Sequence, residues 1–487
     1  MSDAAEAHPS ESAGRSQGTQ TPSLMRKRSG EQRVTNIELF FDLVYVFAIT
    51  QLSHFLLAHA TVRGALQAGL LLAMVWTVWA YTTWVTNWVD PEQMAVRLLL
   101  MALMLASMTM SISLPRGFGD LGLWVGGAYA VQQIGRSVFM VIALRGDPLQ
   151  ANFKRILAWC VVSSALAVGG GFAHGYGRDL LWALAVGVDL AGGTVGFATP
   201  WLGRSRTSDW TIEGGHFAER CQAFVLIALG ESIVIIGATL SADKSATVAS
   251  VTGFVVAFAG SVALWWVYFD RSADASTEVI TRSNDPGRLG RTAYHLIHPV
   301  MVAGIIVTAA SDEKILTRPS SVATAPYAWL ILGGPALFLA GHAAFKYAVW
   351  RIVPWSRLAG LAVLALLALA APALPEIALS ACAAVTVAAV AATDRRPHPQ
   401  GLFLVGVDDH ADVVVGEQER QVLKGFGDGE QQVGHGPLRV AAEHPLGQAQ
   451  LRGIVGTDLF LEFVKQAVVV HLPGPFRALR PLCARLA

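Results

Sequence analysis

Charged residues are scarce in this chain. Only 15% of its 487 residues are Asp, Glu, Lys or Arg, whereas 53% are hydrophobic. Soluble domains carry about 25% charged residues, so the composition excludes an ordinary soluble domain and predicts a polytopic membrane protein that is surrounded by membrane lipids. The net charge of +1 provides no basic surface for nucleic acid, and we expect no nucleic-acid partner.

Cysteine is rare as well. The four cysteines, Cys160, Cys221, Cys382 and Cys483, lie far apart and form no CxxC pair, which excludes a disulfide framework. The chain contains no Walker loop, no GxSxG elbow, no HExxH motif and no dinucleotide fingerprint. We therefore predict that it is not an enzyme and that it holds no cofactor and no metal.

Long apolar segments make up most of the chain, and a membrane helix needs about 20 such residues. We predict an all-α fold with about twelve transmembrane helices, in a membrane domain at residues 35–393. A disordered cytoplasmic tail, residues 1–34, precedes it, and a poorly structured cytoplasmic segment without assigned function, residues 394–487, follows. The predicted spans are residues 37–60, 65–88, 94–114, 121–144, 154–173, 180–202, 217–240, 248–269, 293–311, 327–348, 357–373 and 376–392.

Lysine and arginine are concentrated in alternate loops. If the N-terminus is cytoplasmic, the loops on that side carry most of these residues, which is the bias that orients membrane proteins. We predict a multi-pass protein of the inner (plasma) membrane with both termini in the cytoplasm. Association into a homo-oligomer is left open.

Two similarities between the halves of the chain indicate an internal repeat. Glu38 opens the first span, and Glu219 stands near the start of the seventh. The second span ends in Trp-Ala-Tyr at 79–81, and the eighth ends in Trp-Val-Tyr at 266–268. Because six spans per half is an even number, the halves would be parallel and related by an axis along the membrane normal.

The first span contains unusually polar residues. Glu38 and Asp42 are four residues apart and share a helix face, and Gln51 and His54 follow toward the other end. A carboxylate at mid-membrane costs about 2.5–3.5 kcal/mol and must face protein or water. We interpret this face as a candidate functional site. Alternatively, Glu38 lies at the headgroup boundary and Asp42 forms one structural ion pair.

The seventh span carries a second set of polar residues. Arg220 and Glu231 are eleven residues apart, which places them on nearly the same helix face. Acidic residues outnumber arginines inside the predicted spans, and this surplus predicts a proton or cation pathway. In the alternative interpretation, Glu219 and Arg220 are simply hydrated at the cytoplasmic boundary. The residues that we assign as counter-charges are Arg136, Asp189, His216, Glu219 and Arg220.

The ninth span contains two histidines three residues apart. We expect His295 and His298 to share one helix face, where they could relay protons, although a hydrogen-bonded interior histidine is the commoner outcome. Pro299 is predicted to bend this helix. The tryptophans of the second span are explained by an interface belt and helix packing; they are Trp76, Trp79, Trp84 and Trp88.

These motifs resemble the bacterial low temperature requirement A (LtrA) family. The run from Glu38 to His54 is similar to the opening signature of that family, with Tyr45 where Phe is expected. Residues 216–220, 229–232, 265–270 and 294–298 resemble its later blocks. The resemblance covers residues 33–393 and implies a multi-spanning inner-membrane protein linked to growth at low temperature.

A more distant similarity is to endolysosomal and bacterial potassium channels. The first helix of each half in those channels carries a Phe-Ser-Asp motif. Phe40, Phe41 and Asp42 occupy the corresponding place here, with Phe instead of Ser, and the seventh span lacks the motif. The resemblance implies a similar arrangement of two six-helix halves.

Two main functions remain from the sequence. The first is a transporter or an ion- or proton-conducting pathway for an unknown small ion or solute. The second is a non-transporting membrane protein that supports growth at low temperature, in which the buried charges are purely structural. A third, an enzyme acting on lipid-like substrates, would need a histidine–acid cluster open to one leaflet. The predicted pathway residues are Glu38, Asp42, Gln51, His54, Glu231, His295 and His298.

Overall fold

The computed structural model describes residues 24–26, 33–205, 212–242, 247–318 and 321–394. Its described regular structure is helical, which confirms the predicted all-α class. The helices are α1 (Asn36–Ala58), α2 (Val62–Thr86), α3 (Met94–Ser113), α4 (Gly122–Ala143), α5 (Gln150–Phe172), α6 (Tyr176–Thr194), α7 (Gly214–Ala242), α8 (Val248–Phe269), α9 (Ser272–Thr281), α10 (Pro286–Leu289), α11 (His298–Thr317), α12 (Ala325–Trp350), α13 (Trp355–Ala370) and α14 (Glu376–Thr393).

Each of the twelve predicted spans overlaps one long helix, but the sixth predicted span, 180–202, extends beyond the end of α6 at Thr194, and the ninth, 293–311, begins before α11. Of the helices in the described residues, ten stretches are long and apolar enough to cross a membrane. The helices α4 and α6 are not among the ten, because polar residues lower their hydropathy. The chain is thus a multi-pass membrane protein, whereas the number twelve and the two parallel halves stay predictions. The polar residues concerned are Gln132, Gln133 and Arg136 in α4 and Arg178, Asp179 and Asp189 in α6.

Helix α1 packs against α2, α3, α7 and α11. Its N-terminus is fixed by Thr35, whose backbone N–H donates to Glu38 Oε2 at 2.9 Å and whose hydroxyl donates to the same oxygen at 2.8 Å. The face predicted from the spacing of Glu38 and Asp42 is buried along its length, including Tyr45 and Ile49. Both carboxylates therefore face protein.

The bend predicted at Pro299 takes the form of a change in helix type. A π-helical segment, Gly290–Ile297, joins α10 to α11. Because proline has no N–H, the carbonyl four residues earlier, on His295, lacks its usual helical donor. The indole N–H of Trp76 on α2 donates to that carbonyl at 2.7 Å. The proline and this tertiary hydrogen bond lie next to and within the segment that departs from α-helix.

Close helix pairs meet at glycines. On α11, a Cβ at Gly304 would lie 2.5 Å from the backbone nitrogen of Phe338 on α12. On α4, a Cβ at Gly126 would lie 2.2 Å from the carbonyl oxygen of Ala167 on α5. Small residues at such crossings let membrane helices approach until their backbones touch.

Part of the segment predicted to be a disordered tail is ordered. Met25 forms an antiparallel bridge with Val89, and the Arg26 side chain contacts Glu38. The carboxylate of Glu38 explains why this stretch is held in place. The rest of the predicted tail up to residue 32 lies outside the described residues, as do residues 395–487 of the predicted C-terminal segment.

Candidate functional site

A fully buried ion pair joins α1 to α7. The Arg220 guanidinium donates two hydrogen bonds to the Asp42 carboxylate, at 2.8 Å from Nε to Oδ2 and 2.6 Å from Nη2 to Oδ1. The Trp79 indole on α2 donates a third hydrogen bond to Asp42 Oδ1 at 2.7 Å. This bidentate geometry is a strong form of the arginine–carboxylate contact. Together with the bond from Trp79, it connects α1, α2 and α7.

Glu38 lies one turn away and extends the ion pair into a network. Its Oε1 contacts His216 Nε2 at 2.9 Å and accepts from Arg220 Nη1 at 3.1 Å. Its Oε2 accepts from Arg26 Nη2 at 2.8 Å, in addition to the bonds from Thr35. We call Arg26, Glu38, Asp42, His216 and Arg220 the buried charge network.

The buried charge network contains two carboxylates and two guanidinium groups, so its charges balance without a bound ion. Arg26 pairs with Glu38 from outside the predicted spans, so it lowers the sequence-based surplus of carboxylates by one and does not remove it. The hydrated alternative for Arg220 is wrong, since its side chain is 0% exposed. Glu219 is half-buried on the same helix. Because every carboxylate of the network is hydrogen-bonded, the network is better suited to holding helices together than to conducting ions.

Farther along α1, a second polar contact joins the same two helices. The Thr50 hydroxyl donates to Glu231 Oε1 of α7. His54 Nε2 lies 3.6 Å from Glu313 Oε2 of α11, with the histidine side chain 48% exposed. Gln51, which lies between Thr50 and His54 in the sequence, is half-buried. The predicted stripe from Arg220 to Glu231 thus faces α1 at both its ends.

His295 and His298 do not share a face, contrary to the expectation from their spacing. His295 Nδ1 accepts from the Trp84 indole on α2 at 3.3 Å. His298 instead contacts the Tyr268 hydroxyl on α8 through Nε2 at 2.8 Å and the Ala293 carbonyl through Nδ1 at 2.9 Å. The wider turn of the π segment changes the angle between residues three apart, so a relay between these two rings is not formed.

Arg136 and Asp189 are brought together by a shared glutamine. Gln133 Nε2 donates to Asp189 Oδ2 at 2.6 Å, and Gln133 Oε1 accepts from Arg136 Nη2. Tyr129 also donates to Asp189 Oδ2. Asp189 Oδ1 is buried with no hydrogen-bond partner in the described structure. Arg136 and Asp189 both line a cavity of about 890 Å³, while the described residues contain no cluster of His, Cys, Asp or Glu suited to a metal ion.

Sequence reasoning missed several partners for physical reasons. Arg26 stands in a polar stretch that reads as a tail, and Trp79 reads as part of an interface belt although it is fully buried. Thr50 carries no charge and gave no signal. Asp312 near the end of α11 is 2% exposed, with Oδ2 unpartnered in the described structure. It stands directly after the ninth predicted span and before Glu313 and Lys314, so the sequence reads it as part of a polar helix end.

Comparison with known proteins identifies the family. The chain matches the bacterial low temperature requirement A proteins (LtrA) over residues 33–392. It is 37% identical over 346 residues to an uncharacterised protein of Rhizobium meliloti (strain 1021), an alignment that covers 70% of this chain and 83% of the relative. No solved structure matches. The match includes the whole buried charge network except Arg26, and the chain belongs to the bacterial LtrA family.

Proposed function

We propose that this protein moves a small ion or solute across the bacterial inner membrane. The observation that carries the proposal is a set of intramembrane carboxylates outside the buried charge network that contact only neutral donors or none. Glu231 accepts from Thr50, Asp189 accepts from Tyr129 and Gln133, and Asp312 Oδ2 has no partner in the described part of the chain. Such groups are costly in a membrane and mark ion or proton routes.

These three carboxylates lie at different depths. Asp189 is near the C-terminal end of α6, Glu231 is near the middle of α7, and Asp312 is near the C-terminal end of α11. With a rise of about 1.5 Å per residue and the predicted orientation, they fall near the inner side, the centre and the outer side of the membrane. A route past them would cross its full thickness.

Flux through proteoliposomes tests the proposal. The full-length protein is reconstituted with pH- and potassium-sensitive dyes, and wild type is compared with Glu231→Gln. We expect ion flux in the wild type and its loss in Glu231→Gln, because the neutral amide neither carries a proton nor attracts a cation. The matched control is Glu278→Gln, which alters an exposed pair with Arg282 and should leave flux unchanged. Equal flux in folded Glu231→Gln would contradict the assignment.

A non-transporting role is the second candidate, and the buried charge network favours it. Because each carboxylate of the network is paired, its evident effect is to hold α1, α2 and α7 together. In that case the protein shows no flux of either ion, and Asp42→Asn changes stability alone. The family is named for a low temperature requirement, and support of growth at low temperature is the cellular role that we propose for either candidate.

We also infer that α4 and α6 cross the membrane, which gives twelve spans. Helix α4 runs antiparallel to α5 along its whole length, from Gly171 beside Leu123 to the Gln150 amide, which donates to the Val141 carbonyl at 2.8 Å. Since α5 is apolar enough to span, a helix beside it at every level shares its depth. Helix α6 lies against α5 in the same way, through Trp182 and the Ala167 carbonyl.

The packing of the helices supports two parallel halves. Helix α1 packs against α3, α3 against α4, and α4 against α5. In the second half, α7 packs against α11, α11 against α12, and α12 against α13, in the same order. The first helices of the two halves, α1 and α7, meet at the buried charge network. We therefore propose that the network lies at the junction of two repeats, with both termini in the cytoplasm.

A further inference from the structure

A second feature of the bundle is a cavity whose lining residues do not include those of the buried charge network. The cavity of about 890 Å³ is bounded by α2, α4, α5, α6 and the π-helical segment. Its volume falls within the roughly 300–1,000 Å³ of small-molecule sites. Arg204 and Arg291 lie at the end that is predicted to be cytoplasmic, and Arg136 and Asp189 line it deeper in the membrane.

Positive charge predominates in this cavity. Its lining includes three arginines, Arg136, Arg204 and Arg291, against the single carboxylate of Asp189. Arg136 is 1% exposed. Its guanidinium donates to neutral groups, among them the Gln133 amide oxygen, and Val78 O and Thr82 Oγ1 at 3.4 Å each.

A buried guanidinium without a directly bonded carboxylate is costly. An anion entering the cavity would give Arg136 a directly bonded negative partner, whereas Asp189 reaches it only through Gln133. The exposed Arg204 and half-buried Arg291 would draw such an anion toward the opening, since like charges lining a cleft raise the local concentration of the opposite ion.

The remaining wall is aromatic and apolar. Trp84, Trp88, Phe153 and Phe197 line the cavity together with Tyr81, and aromatic rings present large apolar faces that bury a ligand body. The guanidinium of Arg136 lies 5.1 Å from the centre of the Tyr81 ring. The cavity can thus hold a ligand that has a charged end and an apolar body.

Phe197 is held at this wall by an unusual backbone conformation. Its φ is +49°, in the left-handed region that side chains seldom adopt, and its N–H donates to the Gly192 carbonyl at 2.7 Å. A Cβ at Gly192 would lie 2.9 Å from the Phe197 ring, so glycine is needed there to admit the ring. Backbone strain of this kind is concentrated at ligand sites.

We propose that this cavity binds an organic anion with an apolar, aromatic-sized body. The carboxylate or phosphate end pairs with Arg136, and the body packs on the tryptophans and Phe197. The inference deepens the proposed transport function, on which it rests for the statement that this anion is the solute carried.

Binding of a defined anion tests the site directly. The full-length protein in phosphatidylcholine nanodiscs is titrated calorimetrically with 3-(4-hydroxyphenyl)propionate and with its neutral amide. We expect the anion to bind at least about ten-fold more tightly than the amide, the size of one lost charge-assisted hydrogen bond. Arg136→Gln and Arg204→Gln should each weaken binding of the anion by a similar factor.

The control variant is Arg282→Gln, an arginine on the same predicted side that lies outside the cavity with its side chain 77% exposed. It should bind the anion as the wild type does. Arg204 is exposed, so its variant reports on the site even if Arg136→Gln does not fold. Equal binding of the anion and the amide, no binding of either, or binding that is unchanged in both cavity variants would overturn the proposal.

Two further measurements distinguish a lipid headgroup from a soluble anion as the occupant, and failure of the anion site from failure of the transport proposal. Phosphatidylglycerol added to the nanodiscs should compete with the probe in the wild type if a lipid headgroup is the natural occupant, and should have no effect if the occupant is a soluble anion. Either result keeps the site. Binding without proteoliposome flux of protons, potassium or the probe anion would overturn transport alone, whereas flux without binding would overturn the anion site alone.

Discussion

At the scale of single residues, each buried carboxylate of the charge network is paired with an arginine that is distant in the sequence. Asp42 could be singled out from sequence because its spacing from Glu38 places both on one face. Its partner Arg220 is 178 residues away, and no local pattern specifies that distance. Arg26 was out of reach for a different reason: a short polar stretch gives no periodicity from which an ordered contact can be predicted.

The Asp42→Asn variant should be strongly destabilised. The amide keeps the shape of the side chain but leaves the buried Arg220 without the negative charge of its closest partner, and breaking one side of a buried pair costs about 3–5 kcal/mol. Thermal unfolding of the purified protein in detergent measures the loss. Glu92→Gln is the control, because its pair with Arg97 is exposed and should be worth about 1 kcal/mol or less.

The pair at Asp394 predicts a dependence of stability on pH. Burial raises the pKa of this carboxyl, but hydrogen bonds and charge from Arg357, with Lys346, more than offset burial and lower its pKa below the ordinary 3.8. A carboxyl with a lowered pKa in the folded state stabilises the protein above pH 3.8 and loses that effect as the pH falls through its folded pKa.

Asp394→Asn should therefore be less stable than the wild type at pH 7, with a difference that shrinks as the pH falls below 3.8. Unfolding curves of both proteins from pH 7 to pH 3 measure this. A difference that stays constant over the range would mean that Asp394 does not contribute through its charge.

At the scale of elements, the helices could be predicted because long apolar runs with polar ends have few alternatives in a membrane. The π-helical segment could not. Pro299 signals a disturbed helix, but whether the chain kinks or widens depends on Trp76, a donor from another helix. The orientation of His295 and His298 depends in turn on that outcome, which explains why the prediction that they share a face was wrong.

The link between Trp76 and Pro299 can be measured as a coupling. Trp76→Phe removes the indole donor from the His295 carbonyl and should cost about 1–3 kcal/mol, since a buried acceptor is left unsatisfied. In a Pro299→Ala background the restored N–H can take over that carbonyl, so the same change should cost less. A double-mutant cycle from unfolding measurements gives the interaction, and equal costs in both backgrounds would show that the two residues act independently.

At the scale of the whole molecule, the number of crossings decides which loops share a side. Omitting α4 and α6 together leaves the parity of the chain intact, so the N-terminus, the C-terminus and most loops stay on the same side. Only the loops after α4 and after α5 change sides. Hydropathy alone cannot separate the two topologies, because α4 and α6 are made less apolar by buried polar residues, among them Arg136 and Asp189 of the cavity lining.

Cysteine labelling at two positions separates them. In a background with Cys382 and Cys483 changed to serine, twelve spans place Arg145→Cys in the cytoplasm and His174→Cys outside. An impermeant maleimide added to intact cells should label His174→Cys at once and Arg145→Cys only after permeabilisation. With ten spans the two results exchange.

Two other positions serve as controls because both topologies assign them to the same side. Asp120→Cys should label in intact cells, and the fully exposed Trp201, changed to cysteine, should not. If the controls behave in this way and Arg145→Cys labels in intact cells, α4 does not cross. Arg136 and Asp189 would then lie near a membrane surface, where water can hydrogen-bond to both groups. Arg136 would in that case gain little free energy from binding an anion.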